Sequence, residues 1–366
     1  MIIKNLPLYI GASLSAHNPE NIPDTFPFEA YYDASSGFIR QRLNESLSKI
    51  LDDVYSKGLL IGTPLSESEI AVTYADDFLN FINQVTPSGE KLKILEVGAG
   101  TGYLSRRLMD LGHEVTPIEP GKGYRAYWKK YGVNVINDFF PSPSCRGPYD
   151  LIISYLVLEH IPDPLSFIGQ MKGFLSDNGA IIFSVPDESA EIEAGDPSML
   201  VHEHFNYFDS TGLDCLLSSA NLASTIKPSS YGRCLYSVSR KTSEMIKRTQ
   251  ASQDAVSYLD RSVEYVKQFR MKIRSLLADG SVGVFCPGRA LALLELGMEV
   301  RMFDDDPYLI NMFYPPFTSK IENRSALLEK PVDHLIIMSR TFGNVIKQSL
   351  IHDGYEKNII VASELI

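Results

Sequence analysis

Apolar residues along this chain recur in two rhythms: short unbroken runs that suit strands buried on both faces, and stretches with an apolar position every three or four residues that suit helices with one packed face. The run over 94–97 is the first buried strand. Gly98, Gly100 and Gly102 follow it and helical periodicity then covers 103–111, so the order is strand, tight turn, helix. Runs over 113–119, 133–136, 149–154 and 180–185 predict four more strands in repeated strand–helix units, the last behind the turn signal Asn178-Gly179. Upstream, Phe38, Leu43, Leu47, Ile50, Leu51 and Val54 predict a helix over 38–57, and another is predicted over 66–85. Residues 1–40 are rich in turn formers such as Asn18-Pro19 and Phe26-Pro27. Past the fifth strand the pattern predicts an acidic loop over 186–195, a helix starting at Asp209-Ser210-Thr211-Gly212, a last strand over 229–238 and a long helix over 252–277. A second strand–helix series opens at 282–290, runs into a helix over 291–296 and continues with strands over 299–303, 334–338 and 358–362.

Composition narrows the class. At 366 residues the chain exceeds one compact core, so two domains are expected. A hydrophobic content of 44% with 22% charged residues is that of an ordinary globular protein. The net charge of −11 argues against a nucleic-acid partner, and the basic pairs Lys129-Lys130, Arg240-Lys241 and Lys247-Arg248 read as solvated faces. No apolar run is long enough to span a membrane and the amino terminus lacks the order of a signal peptide, so a cytoplasmic location is expected. Cys145, Cys215, Cys234 and Cys286 form no Cys-x-x-Cys pair, which argues against both a zinc knuckle and a disulfide framework.

The glycine turn carries the first candidate chemistry. Glycines allow positive φ and let a ligand lie against the main chain. Glu96, placed before the first glycine, would sit badly beside a pyrophosphate and well beside a cation, and the Gly-x-Gly-x-Gly spacing differs from the dinucleotide fingerprint. Glu119 ends the second strand, where a carboxylate can accept hydrogen bonds from ribose hydroxyls. Asn137, Asp138 and Phe139 follow the third strand. Together these stretches resemble class I S-adenosylmethionine-dependent methyltransferases. The resemblance implies S-adenosylmethionine as cofactor, with Glu96, Gly98, Gly100 and Gly102 in the loop backing its methionine and ribose parts, Glu119 on the ribose, and Asp138 and Phe139 on the adenine.

A second informative stretch is Val201-His202-Glu203-His204-Phe205-Asn206-Tyr207-Phe208. Two histidines flanking a glutamate beside aromatics are compatible with a metal pair, a general base or core packing. Metal is the weakest of the three, because no third ligand lies nearby in sequence, and no metal is expected. The Glu-His-x-x-Tyr-Phe pattern resembles that of sugar C-methyltransferases, which methylate a carbon beside the keto group of a nucleotide-linked deoxy sugar. The resemblance implies His204 as the base, with Glu203 beside it and Tyr207 near the substrate. A carbon nucleophile must first lose an α proton, and imidazole titrates near working pH. Tyr31 and Tyr32 are candidate substrate hydroxyls in the amino-terminal region, packing against the neighbouring helix being the alternative. The series from 282 onward resembles the carboxy-terminal domain of the same enzymes, which makes Arg289 and Asp305 candidate substrate contacts, with a loop cap and a solvated turn as the alternatives.

The chain departs from that family in three places. It has no cysteine before Cys145, so the amino-terminal zinc domain is missing or replaced; Val201 stands where a tyrosine is common; and Tyr231 stands where the family has a histidine. The expected fold is α/β: a doubly wound methyltransferase sheet behind an amino-terminal helical lid, with a smaller Rossmann-like carboxy-terminal domain. The expected segments are 1–75 for the lid and substrate region, 76–240 for the cofactor domain, 241–277 for a helical connector and 278–366 for the second α/β domain. The expected activity is methyl transfer to a small molecule, most specifically C-methylation of a nucleotide-linked keto sugar, with no nucleic-acid or membrane partner. Its rivals are O- or N-methylation of another metabolite, and a non-catalytic binding module.

Overall fold

The computed structural model describes residues 1–8, 11–20, 22–56, 69–86, 89–247, 249, 252–340 and 342–366. It opens on strands. Ile2–Pro7 (β1) pairs antiparallel with Thr25–Asp33 (β2), and Phe38–Gln41 (β3) precedes the helices Glu45–Ser56 (α1) and Glu69–Val85 (α2). The expected helix over 38–57 is therefore corrected at its start. Phe38-Ile39-Arg40-Gln41 is a strand, and the helix begins after Asn44, whose side-chain oxygen accepts from the Leu47 N–H at 2.9 Å. Residues 57 and 66–68, also expected to be helical, lie outside the described residues. The amino-terminal region, expected as a helical lid, opens on three strands.

Next come Lys93–Val97 (β4), Tyr103–Asp110 (α3), Glu114–Ile118 (β5), Arg125–Tyr131 (α4), Tyr149–Tyr155 (β6), Pro164–Phe174 (α5) and Leu175–Pro186 (β7). The strand expected over 133–136 is reduced to one bridge, Ile118 to Ile136. Pro117 has no N–H to extend a ladder, and the Asn137 amide donates to the carbonyls of Glu119 and Pro120 at 2.9 and 3.0 Å. Asn178-Gly179 makes no turn; it lies within β7, near a register shift opposite Asp150. Ser189–Ala194 (α6) replaces the loop expected over 186–195, with the Asp187 carboxylate accepting from the Ser189 N–H at 3.1 Å.

Asn206–Tyr207 (β8) pairs with β3, and Ser210–Ser219 (α7) starts at the Asp209 cap as expected. Leu222–Pro228 (β9) and Cys234–Lys241 (β10) form a hairpin, so the first residues of the strand expected over 229–238 are its turn. The long helix Gln253–Asp279 (α8) leads to Val282–Phe285 (β11), Arg301–Phe303 (β12), Ile321–Glu322 (β13), Arg324–Glu329 (α9), His334–Ile337 (β14), Gly343–His352 (α10) and Asn358–Val361 (β15). The helix expected over 291–296 is instead a 3-10 turn, Gly288–Leu293. Arg270 donates to the carbonyls of Ala292, Leu293 and Leu294, which a continuing helix would need for its own ladder.

Two compact units result. One, here the central unit, comprises Tyr31–Ala190 and Glu203–Val256; the other, the terminal unit, comprises Met1–Ala30, Glu191–His202 and Ser257–Ile366. The central sheet has the order β5-β4-β6-β7-β10-β9, parallel from β5 to β7 and antiparallel at β10 and β9. Alternation sends Leu95, Ile152, Ile181 and Phe183 to one face, against Phe167 and Ile168 of α5 and Leu213 and Leu217 of α7. Ile94, Leu151, Ile153 and Ile182 go to the other, against Phe78 and Ile82 of α2 and Leu104 and Leu108 of α3. Both faces are covered, which is why the strands read as unbroken apolar runs. The terminal unit has an all-parallel sheet of order β13-β12-β11-β14-β15, the Rossmann-like arrangement expected for 278–366. Residues 1–30, expected in the lid, belong to this unit.

Candidate cofactor and acceptor site

In doubly wound sheets ligands gather where the carboxyl ends of the strands meet the loops. At the end of β4, Gly98, Gly100 and Gly102 all have positive φ, at 79°, 49° and 81°. A Cβ on Gly98 would run into Val157 Cγ2, whereas one on Gly100 would meet nothing within 4 Å. The turn is thus packed from behind at Gly98 and open in front at Gly100, a cradle in which a ligand can touch main chain. Leu156, beside that packing residue, also has positive φ, at 56°. For a residue with a branched side chain this is strain, of the kind that accumulates at functional loops.

Glu96 is buried beneath the turn and accepts a short hydrogen bond from the Ser105 hydroxyl of α3. Burial, reinforced by the nearby Glu119 charge and opposed by Ser105, pushes its carboxyl up to about 8. Glu119 accepts from the N–H groups of Gly100 at 2.9 Å and Gly121 at 2.6 Å, one on each oxygen. It thereby fixes the glycine turn, and each oxygen keeps a further lone pair for a hydroxyl. Burial raises its pKa as well. Trp128 Nε1 donates to the Gly100 carbonyl at 2.7 Å. Across the loop, Asp138 is exposed and accepts from the Phe139 N–H at 2.8 Å, and the Phe139 ring is 69% exposed, open to a planar partner. These residues fit S-adenosylmethionine: carboxylates for its ammonium and ribose, bare main chain at Gly100, and an uncovered ring beside an acid for the adenine.

A second cluster lies past the end of β6. Leu158–His160 forms a 3-10 turn, and the segment after α6 is stapled to it: the Phe205 N–H donates to the Glu159 carbonyl at 2.7 Å, and the Asn206 amide to the carbonyls of Leu158 and Ile161 at 3.0 and 2.8 Å. His160 Nδ1 is 3.0 Å from the Glu203 carbonyl. The staple sets the His204 ring edge-on to His160 at 4.8 Å between centroids, with the Tyr207 ring centroid 6.1 Å from that of His204. Glu159 and His204 are each 2% exposed, and Glu203 and Tyr207 are buried too. Glu159 and His160 thus join His204, though neither was a site candidate from sequence; two ionisable residues soon after a buried strand were the available signal.

His202 belongs elsewhere. In the terminal unit its Nε2 is 3.0 Å from the Phe26 carbonyl, and its ring packs edge-on against Phe26 and Phe28. Tyr31 and Tyr32 are half-buried neighbours on β2, on opposite faces of the strand, and the Arg42 guanidinium stacks over Tyr31 at 4.9 Å. Arg289 falls in the 3-10 turn after β11, and its side chain lies outside the described residues. Asp305 is engaged by Arg324 through both carboxylate oxygens, and Arg324 also holds Asp353 at 2.6 Å, so the turn after β12 has a structural use for this acid.

Comparison with known proteins covers the central unit. The family described as "Methyltransferase domain" matches residues 69–225. The "Ubiquinone biosynthesis O-methyltransferase" of Actinobacillus pleuropneumoniae serotype 5b is 33% identical over 118 residues, covering 29% of this chain and 50% of that protein. An "Uncharacterized methyltransferase" of Staphylococcus carnosus is 33% identical over 117 residues, covering 30% and 55%. The chain spans about half the length of the curated relatives it matches. Among solved structures, the 1,6-didemethyltoxoflavin-N1-methyltransferase of Burkholderia thailandensis with bound 1,6-didemethyltoxoflavin and S-adenosylhomocysteine aligns with a TM-score of 0.40 at 15% identity, over 58% of this chain and 99% of that one. The glycine turn and the acids that surround it all lie within residues 69–225, the stretch that matches a methyltransferase domain.

Proposed function

We propose that this protein transfers a methyl group from S-adenosylmethionine to a small molecule, and that the acceptor atom is a carbon beside the keto group of a nucleotide-linked deoxy sugar. Bound S-adenosylmethionine supplies an electrophilic methyl group on a positively charged sulfur. The protein's residues do the rest. Glu96 and Glu119 hold the ammonium and ribose ends, and Asp138 and Phe139 the adenine. His204 takes the α proton of the acceptor; the electron pair left on carbon forms the new bond to the methyl, and the carbon–sulfur pair stays on sulfur. Glu203 positions the pair of rings, its carbonyl facing His160, and the partly exposed His160 gives the proton a way to solvent.

The observation that carries this reading is the His160–His204 pair in a buried setting beside Glu159, because a carbon acceptor needs a base and imidazole is matched to that task. A second reading, O-methylation, is favoured by the similarity to the ubiquinone biosynthesis O-methyltransferase of Actinobacillus pleuropneumoniae. Calorimetric titration with S-adenosylhomocysteine, followed by thymidine- and guanosine-linked keto sugars on the loaded protein, tests both. A nucleotide-sugar signal together with a loss of about 10²-fold or more in turnover for His204→Asn is the expected result. Cofactor binding without any nucleotide-sugar response, or substantial turnover in His204→Asn, would favour the O-methyl reading.

A further inference from the structure

We infer that Glu159, His160 and His204 form a binding site for a divalent transition-metal ion. The site stands on its own geometry; only its use in turnover rests on the methyltransferase reading. The sequence offered His202 and His204 as a metal pair without a third ligand, and the structure instead groups His204 with Glu159 and His160. One carboxylate oxygen and two imidazole nitrogens lie within 4.8 Å of one another. His160 Nε2 is 3.9 Å from Glu159 Oε1.

Three features make this more than proximity. First, His160 faces the Glu203 carbonyl through Nδ1 at 3.0 Å. A carbonyl there accepts from Nδ1–H, so Nε2, on the Glu159 side, is the nitrogen placed to ligate, and the Nδ1 contact is the outer contact typical of metal-binding histidines. Second, Glu159 and His204 are each 2% exposed, and a carboxylate buried that deeply is stabilised by a cation between it and the imidazoles. Third, the His160 side chain is 27% exposed, so an ion held by these three protein donors would be reachable from solvent, with coordination positions left for water or an acceptor. With bond lengths near 2.1 Å the donors must close by roughly 1 Å onto a shared ion, within reach of side-chain rotation on the stapled backbone. Two nitrogens and one oxygen select zinc, iron, cobalt or manganese over calcium or magnesium. An ion here would polarise an acceptor oxygen, and His204 serves as the base proposed above only in the ion-free protein.

The full-length protein, stripped by chelator dialysis, should be titrated with cobalt(II) and zinc(II) chlorides by calorimetry, and the cobalt form followed by visible absorption. One saturable equivalent with a ligand-field spectrum is expected, weakened about tenfold or more by Glu159→Gln and by His204→Asn. Affinity for S-adenosylhomocysteine should be unchanged in both variants, which also shows that they fold. Cys286→Ser, at the one half-buried thiol among the four cysteines, should leave metal binding intact. Should either buried substitution fail to fold, His160→Ala at the partly exposed position gives the same test. No saturable binding of either ion, or binding that survives all three ligand substitutions, overturns the proposal. Loss of the methyltransferase reading would register separately, as failure to bind S-adenosylhomocysteine.

Discussion

The burial of Glu96 and the ligand role proposed for it pull its proton in opposite directions. Without ligand it is buried, and its carboxyl is pushed up to about 8, so it is neutral around neutral pH. A cationic ligand above the glycine turn favours the charged form. Because the folded pKa lies above the unfolded value, this group's contribution to stability is intact below about pH 4.5 and is lost as pH rises toward 8. Glu96→Gln should therefore stabilise the ligand-free protein at alkaline pH, by on the order of 3 kcal/mol, and weaken S-adenosylmethionine binding about tenfold or more. Urea melts at acid and alkaline pH, with calorimetric titration, would check this; a variant less stable at alkaline pH that binds as the parent does would sink it. Gly98→Ala meets both positive φ and the Val157 side chain, and should cost about 1–3 kcal/mol in the same melts. Glu96, Glu119 and the glycines were legible in the sequence because turn chemistry is local. The grouping of Glu159 and His160 with His204 was not, since His160 and Glu203 are 43 positions apart.

At the scale of elements, unbroken apolar runs located β4, β6 and β7 because burial on both faces is written into the residues themselves. Elements that depend on a partner were harder to read. β3 mimicked the start of a helix until its pairing with β8, and the β9–β10 hairpin hid inside one expected strand. The same hairpin is tied to α2 by Asp77, which accepts from the Ser230 N–H at 3.1 Å, the Ser230 hydroxyl at 2.5 Å and the Tyr236 hydroxyl at 3.0 Å. Its neighbour Asp76 pairs instead with Arg107 of α3 at 3.0 Å, both side chains partly exposed. Asp77→Ala should lower the unfolding free energy by about 2 kcal/mol, and Asp76→Ala by under about 1 kcal/mol. Equal effects in chemical denaturation would mean that Asp77 does not tie the hairpin.

Periodicity reports local structure, so a sequence alone cannot say that residues 1–30 and 257–366 share a unit while 31–190 belong to another. The two units carry buried groups with opposite pH responses. In the terminal unit, burial holds His202 down to about 4 against the carbonyls that favour its charged form. A depressed histidine pKa means that the unfolded chain binds the proton first. Its contribution is intact above about pH 6.5 and is lost as pH falls toward 4, up to about 3 kcal/mol. Glu96 in the central unit behaves in the reverse sense, losing stability on the alkaline side. Each unit has its own apolar core, so scanning calorimetry of the ligand-free protein should resolve two endotherms that move in opposite directions between about pH 5 and about pH 8. S-adenosylhomocysteine should raise the one that weakens at alkaline pH, because a ligand stabilises the unit that binds it. His202→Gln should flatten the acid-side loss of the other. A single endotherm, or an acid-side slope unchanged by His202→Gln, would show that the buried histidine does not set the acid limit of the fold.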